Sequence, residues 1–395
     1  MIKLTTLAIT LTAIGIFTSV SILGISQALF AISIIFYIHK AYKDNNLKLP
    51  KSSYWLLAFI TIACVSLAIN FEYVPKPSKN FGRLKYLLFG VLGIYVFKYW
   101  LKEASIKTQK TVVSLFLFSV ALAAAYGSLK YFISGEERLR GFTDTLRYGY
   151  GMGMTLLVVL SAFLHREKLK NWIDPKLCLS AFIIGFVGLY FSYTRGAFLG
   201  FFCGLPLVCY FYSKKLGLTL GSLGVLVVLT LGGFYLFGNG NYGSRFLISK
   251  NNNSDHIRKS QWKAAVILTQ EKPVLGWGFS NYHSQLKRVK YQYDLDAKDY
   301  NDAHAHNLFL ETSSGTGILG LIVFLGFIIT WAFECYFAGG LTRALVFPFG
   351  VAWVISSQFE MTFDSNNATL IFLIYPLSCV LGILSKDAKN INYNA

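Results

Sequence analysis

Charge is what this sequence has least of. Asp, Glu, Lys and Arg make up 14% of its 395 residues, whereas hydrophobic residues make up 54%. A soluble chain of this size carries about a quarter charged residues, so a pair of soluble domains is excluded. Cysteine is sparse as well, and placed where it cannot crosslink. Cys64, Cys178, Cys203, Cys209, Cys335 and Cys379 all fall inside apolar runs, and no two form a Cys-x-x-Cys pair. A disulfide framework or zinc–thiolate site is thereby disfavoured, and the thiols read as small buried hydrophobes. Also missing are an internal repeat, a low-complexity tract and a small-residue cleavage site behind the apolar N-terminus. That first stretch is expected to be retained as a span.

What the sequence does have is a succession of apolar runs of roughly 17 to 23 residues, each about long enough to cross a ~30 Å hydrocarbon core as a helix. The fold expected is an all-α polytopic membrane protein of about twelve spans. They are placed near 5–20, 22–40, 53–70, 84–100, 111–133, 148–165, 177–193, 196–213, 216–238, 316–336, 344–358 and 367–384. This divides the chain into nine spans over 1–238, a large loop with short helices over 239–315, and three spans with a tail over 316–395. Basic residues set the orientation. Eighteen Lys and Arg fall on the side holding both termini, nine fall in the short loops opposite, and ten more lie in the long loop, which is too long to count. The termini are therefore expected in the cytoplasm and the long loop outside. The outer side nonetheless keeps an unusual share of arginine, which suits an anionic ligand such as a lipid-borne phosphate or pyrophosphate.

Several residues carry that expectation. Arg195 stands between two apolar runs with almost no loop; an arginine that deep costs about 2.5–3.5 kcal/mol to insert and so has a partner or faces water. It reads as an anion ligand at a cavity mouth, with snorkelling at a tight hairpin as the plain alternative, and Gly196 and Gly200 allow close approach. In the loop, Ser254-Asp255 predicts a helix start and Pro273 lies beyond its end. Arg258 and Trp262, four apart, share a face; a surface-lying amphipathic helix explains the same pattern without a substrate. Pro273 to Phe279 reads as a turn-rich segment ordering the loop against the bilayer, and His256 and His283 read as solvated. Next comes Asp302-Ala-His-Ala-His-Asn. Asp302 is expected to cap a helix running to about Ser314 with Gly315 as its stop. On that helix His306 shares a face with Asp302, which would orient it as a base, whereas His304 points elsewhere. A His-x-His metal site lacks further ligands at suitable spacing, so no metal and no other cofactor is expected.

On these residues the sequence resembles the O-antigen ligases of Gram-negative bacteria, within a wider ligase and polymerase superfamily. The family's Arg-x-x-x-Leu appears as Arg195 to Leu199, and its His-Asn with a following Gly-x-x-Gly appears as His306-Asn307 with Gly317 and Gly320. Between them stand Arg258-x-x-x-Trp262, Pro273 and Gly276-Trp-Gly278. The resemblance implies glycosyl transfer on the periplasmic face of the inner membrane, without metal or nucleotide sugar. The donor would be O-antigen on undecaprenyl pyrophosphate and the acceptor a hydroxyl of lipid A core, with membrane lipids around and no nucleic acid. By that analogy His306 is the general base, Arg195 and Arg258 hold the pyrophosphate, and Asn307, Trp262 and His304 contact substrate. Arg138, Arg140 and Arg147 are further candidates for phosphate contact. A polymerase of the same superfamily is the nearest rival. A transporter of the same lipid is a rival of another class, disfavoured because the ionisable groups gather at the outer edge rather than at mid-membrane.

Overall fold

The computed structural model describes residues 1–135, 138–215, 253–295, 304–363 and 365–393, with Gly221 and Gly224. Fourteen α-helices and one 3-10 helix make up these residues, without a strand among them. They are α1 (Ile2–Thr18), α2 (Val20–Lys43), α3 (Lys51–Ile69), a 3-10 turn (Phe71–Tyr73), α4 (Pro77–Glu103), α5 (Ile106–Ser134), α6 (Thr145–Leu164) and α7 (Arg166–Leu169). After them come α8 (Pro175–Phe191), α9 (Arg195–Ser213), α10 (Asn253–Glu271), α11 (Tyr282–Gln292), α12 (Leu308–Ala338), α13 (Gly340–Ser356) and α14 (Ser365–Tyr393). Eight are long and apolar enough to cross a bilayer, and α1, α8 and α13 are shorter apolar helices. The chain is a polytopic helical membrane protein. These eleven helices fall where eleven of the expected spans lie; of the remaining one, 216–238, only Gly221 and Gly224 are described.

Hairpin connections bring the same end of many helices together. α1 packs on α2, α3 on α12, α4 on α14, α5 on α8, and α6 and α13 both on α9. The three-helix contact of α6, α9 and α13 is close because small residues face it. A Cβ on Gly200 would lie 2.8 Å from the Ala352 carbonyl oxygen of α13, and one on Gly153 would lie 3.0 Å from the Ala197 carbonyl of α9. In a bilayer, where apolar burial gives helices little reason to associate, such backbone proximity is a main source of adhesion. The centre is filled by aromatic rings, with Trp331 against Phe327, Trp353 and Tyr375.

One end of the bundle is capped by the segment after α10, and this positions the site. Residues 273–280 lie across α12 through bonds from Ile318 N to Pro273 O (2.7 Å), Trp277 N to Ser314 O (2.9 Å) and Gly278 N to Gly315 O (2.9 Å). Gly317 has φ 72° and ψ −176°, which breaks α12 into two pieces at the crossing; only glycine adopts this conformation readily. From α3, the Ser66 hydroxyl lies 2.6 Å from the Leu275 carbonyl, and Asn70 Nδ2 donates to Gly276 O at 3.1 Å. The sequence expectation of a turn-rich ordering segment is met in this form. The expected stop at Gly315 is not, since Gly315 stays helical and the break falls two residues later.

Candidate functional site

The chain enters α12 through a cap that differs from the one expected at Asp302. Asn307 caps the helix, its Oδ1 accepting from Phe309 N at 3.0 Å and Leu310 N at 3.1 Å. Asn and Asp are comparable caps, and the Ala-His-Ala-His stretch has no apolar period to decide between them. His306 therefore lies outside the helix, with φ 48° in the left-handed region. The helical-face argument for Asp302 lapses with that conformation, and Asp302 itself lies outside the described residues.

A different carboxylate meets the ring. His306 Nδ1 is 3.0 Å from both oxygens of Glu360, which follows α13. Glu360 is 6% exposed and also accepts from Met361 N at 2.9 Å. Burial pushes its carboxyl up; the hydrogen bond and charge of His306, the Met361 N–H and the Arg258 charge outweigh that and hold it below the usual carboxylate range. An ionised carboxylate only accepts, so Nδ1 carries a proton against Glu360, and Nε2 is the nitrogen left to exchange one. The two chain segments are fastened to each other as well. Leu308 N donates to Ser357 O at 2.8 Å, and Asn307 Nδ2 to Gln358 O at 3.2 Å. On the other flank, the fully buried Glu311 accepts from Ala305 N at 2.8 Å.

His304 is mostly buried, and its Nδ1 has no hydrogen-bond partner among the described residues. Burial first, then the Arg83 charge, lowers its pKa to about 4, so it is a neutral ring at physiological pH. Arg83, from α4, bonds to the Ser280 hydroxyl and is a neighbour of this corner that the sequence did not single out.

Arginines converge from three elements. Arg195 opens α9, where Tyr193, with φ 49°, lets the chain reverse out of α8 within three residues. Arg138 fastens that reversal: Nε donates to Ser192 O at 3.1 Å and Nη2 to Thr194 Oγ1 at 3.2 Å. The buried Tyr150 hydroxyl of α6, packed against Gly196, lies in the combined field of Glu360, Arg258, Arg138 and Arg195. Arg258 comes from α10, which ends two residues before Pro273 as the sequence predicts, and starts at Asn253, so that the expected cap Ser254 lies inside the helix. Its neighbour Trp262 is part-buried, the indole N–H without a partner among the described residues. Of the other two candidates, Arg140 is exposed and Arg147 pairs with Asp144 at 3.0 Å. His256 and His283 are exposed, as expected. Among the described residues, no three His, Cys, Asp or Glu side chains cluster as metal ligands do.

The site thus combines a buried carboxylate–imidazole pair with at least three guanidinium groups at one end of a membrane bundle. That arrangement can take a proton from a hydroxyl and hold an anion nearby. Glu360 is the residue that sequence reasoning missed. A signal was there, since Glu360 is an acid set in the short connection between two apolar runs. Comparison with known proteins bears on the same region. A protein of Haemophilus influenzae described as uncharacterized is 25% identical, over 69% of this chain and 73% of that protein. The family model described as O-antigen ligase matches residues 180–325, a segment that includes Arg195, Arg258, His304, His306 and Asn307. Over those residues, then, the chain is similar to the O-antigen ligase family.

Proposed function

We propose that this protein is an O-antigen ligase: it transfers a polysaccharide from undecaprenyl pyrophosphate to a sugar hydroxyl of lipid A core, at the periplasmic face of the inner membrane. The observation that carries the reading is His306, oriented by a buried carboxylate, in the same corner as Arg195, Arg258 and Arg138. Nε2 of His306 takes the proton of the acceptor hydroxyl as its oxygen attacks the anomeric carbon in line. The anomeric carbon–oxygen bond to pyrophosphate breaks with inversion, and the leaving oxygen keeps the electron pair. Arg195 and Arg258 meet the charge that grows on it, with planar guanidinium groups suited to phosphate oxygens. No step requires a metal or a nucleotide sugar. General-base assistance accounts for about 10²–10⁴ in rate, and the arginines and positioning supply the rest.

Deletion followed by gel analysis of lipopolysaccharide tests the reading. Loss of a ligase leaves bare core together with accumulated lipid-linked polymer. Core capped with a single repeat would instead identify a polymerase of the same superfamily. Restoring the gene with His306→Ala should not restore capping, although the protein still reaches the membrane; normally capped lipopolysaccharide from that strain would refute the role of His306.

A further inference from the structure

We propose that Glu360 is the positioning residue of this site: it fixes the Nδ1–H tautomer of His306, aims Nε2 at the acceptor hydroxyl and stabilises the imidazolium formed in the reaction. The inference rests on the proposed role of His306 as base, and it goes beyond that role by assigning what makes this ring able to act.

Geometry supplies the argument. Both Glu360 oxygens stand at 3.0 Å from Nδ1, so the ring cannot place its lone pair on that side without opposing a negative charge. The carboxylate is itself held, by Met361 N on one oxygen and by the pairing of 357–358 with 307–308 behind it. His306 takes a left-handed backbone conformation to reach it, one that non-glycine residues adopt where their surroundings impose it. The charges around the pair make a counter-ion necessary. Arg258 acts on Glu360, and Arg138 and Arg195 lie with both of them about the Tyr150 hydroxyl. Arg83 stands on the side of His304 and Glu311. A proton arriving on Nε2 adds one more cation among guanidinium groups, and an adjacent carboxylate offsets that repulsion. Among the described residues Glu311 is also close by, but it is engaged with the Ala305 N–H and holds backbone.

The experiment separates the charge of Glu360 from its packing. Glu360→Gln and Glu360→Met remove the charge at similar size, and Glu360→Asp returns it on a shorter arm. Diethyl pyrocarbonate reacts with the neutral imidazole, so the pH midpoint of His306 labelling, followed by peptide mass spectrometry in membranes, reads the ring without any substrate. Loss of the carboxylate should lower that midpoint by about one pH unit or more, and Asp should recover much of it. In membranes from the deletion strain, which supply native donor and acceptor, transfer should fall at least tenfold in the charge-removing variants. Its acid limb should move to lower pH by the same amount as the labelling midpoint. Either variant that retains the wild-type elution position in detergent suffices for the comparison. A wild-type labelling midpoint without the carboxylate, or wild-type transfer, overturns the proposal. Transfer surviving in His306→Ala would instead overturn the role of His306 as base, on which this inference rests.

Discussion

Replacing Gly317 by alanine should loosen the cap over the site, and the structure gives the size of the effect. Gly317 sits at φ 72° and ψ −176°, a region that costs a side-chain-bearing residue about 1–3 kcal/mol. A Cβ there would overlap the Val274 carbonyl and come within 2.6 Å of Leu275 N. Both are backbone atoms, so no rotamer relieves the clash and residues 273–280 have to lift. Lifting breaks the bonds Ile318–Pro273, Trp277–Ser314 and Gly278–Gly315, each a net ~0.5–1.5 kcal/mol. The total is about 2.5–7.5 kcal/mol, large beside a typical stability of ~5–15 kcal/mol. The assay is thermal unfolding of the detergent-solubilised protein, together with tryptic cleavage at Lys287 and Arg288. The midpoint should fall by several degrees and cleavage should accelerate. Gly350→Ala is the comparison: a Cβ at that position on α13 meets open space, and alanine favours helix there by up to about 1 kcal/mol. Equal midpoints and equal cleavage for Gly317→Ala and wild type would refute the reasoning.

Two further outcomes are expected. Arg195→Lys keeps the charge but loses the planar fork; at about 1.5–3 kcal/mol for a charge-assisted bond, transfer in native membranes should drop roughly 10- to 100-fold, and near-wild-type transfer would reduce Arg195 to a membrane anchor. His304 supplies a pH dependence of stability. Its pKa falls from 6.5 to about 4 on folding, so below pH 6.5 the unfolded chain takes up a proton that the folded one refuses. Stability is therefore lost as pH falls, by about 2 kcal/mol at pH 5. His304→Gln should flatten the difference in thermal midpoint between pH 7 and pH 5, and an unchanged difference would remove His304 as its source.

How much could be read without coordinates depended on the range of the interaction. The spans were legible because each is a long apolar run, and a bilayer leaves the backbone few alternatives to helix. The segment Pro273 to Phe279 was legible because its glycines and proline act locally; Gly276 and Gly278 do take positive φ. The end of helix α10 was legible from Pro273. The start of α12 was not, since Asp302 and Asn307 compete as caps within five residues. The break at Gly317 rather than Gly315 was equally hidden, because it depends on a carbonyl from Val274. Glu360 could not be assigned to His306 either, since 54 residues and a helical hairpin separate them. Arg138 shows the same limit: its clamp on Ser192 and Thr194 is made to backbone and hydroxyl groups that carry no pattern of their own.

The gathering of Arg138, Arg195 and Arg258 around Tyr150 has a consequence for turnover under the proposed chemistry. In that chemistry these groups would hold pyrophosphate, and the spent carrier would keep its pyrophosphate after the glycan has gone. Donor and product then compete for one set of cations, so the off-rate of the empty carrier sets a ceiling on the cycle. A phosphatase that trims the released carrier to a monophosphate would thereby do more than recycle lipid: it would clear this enzyme of its own inhibitor.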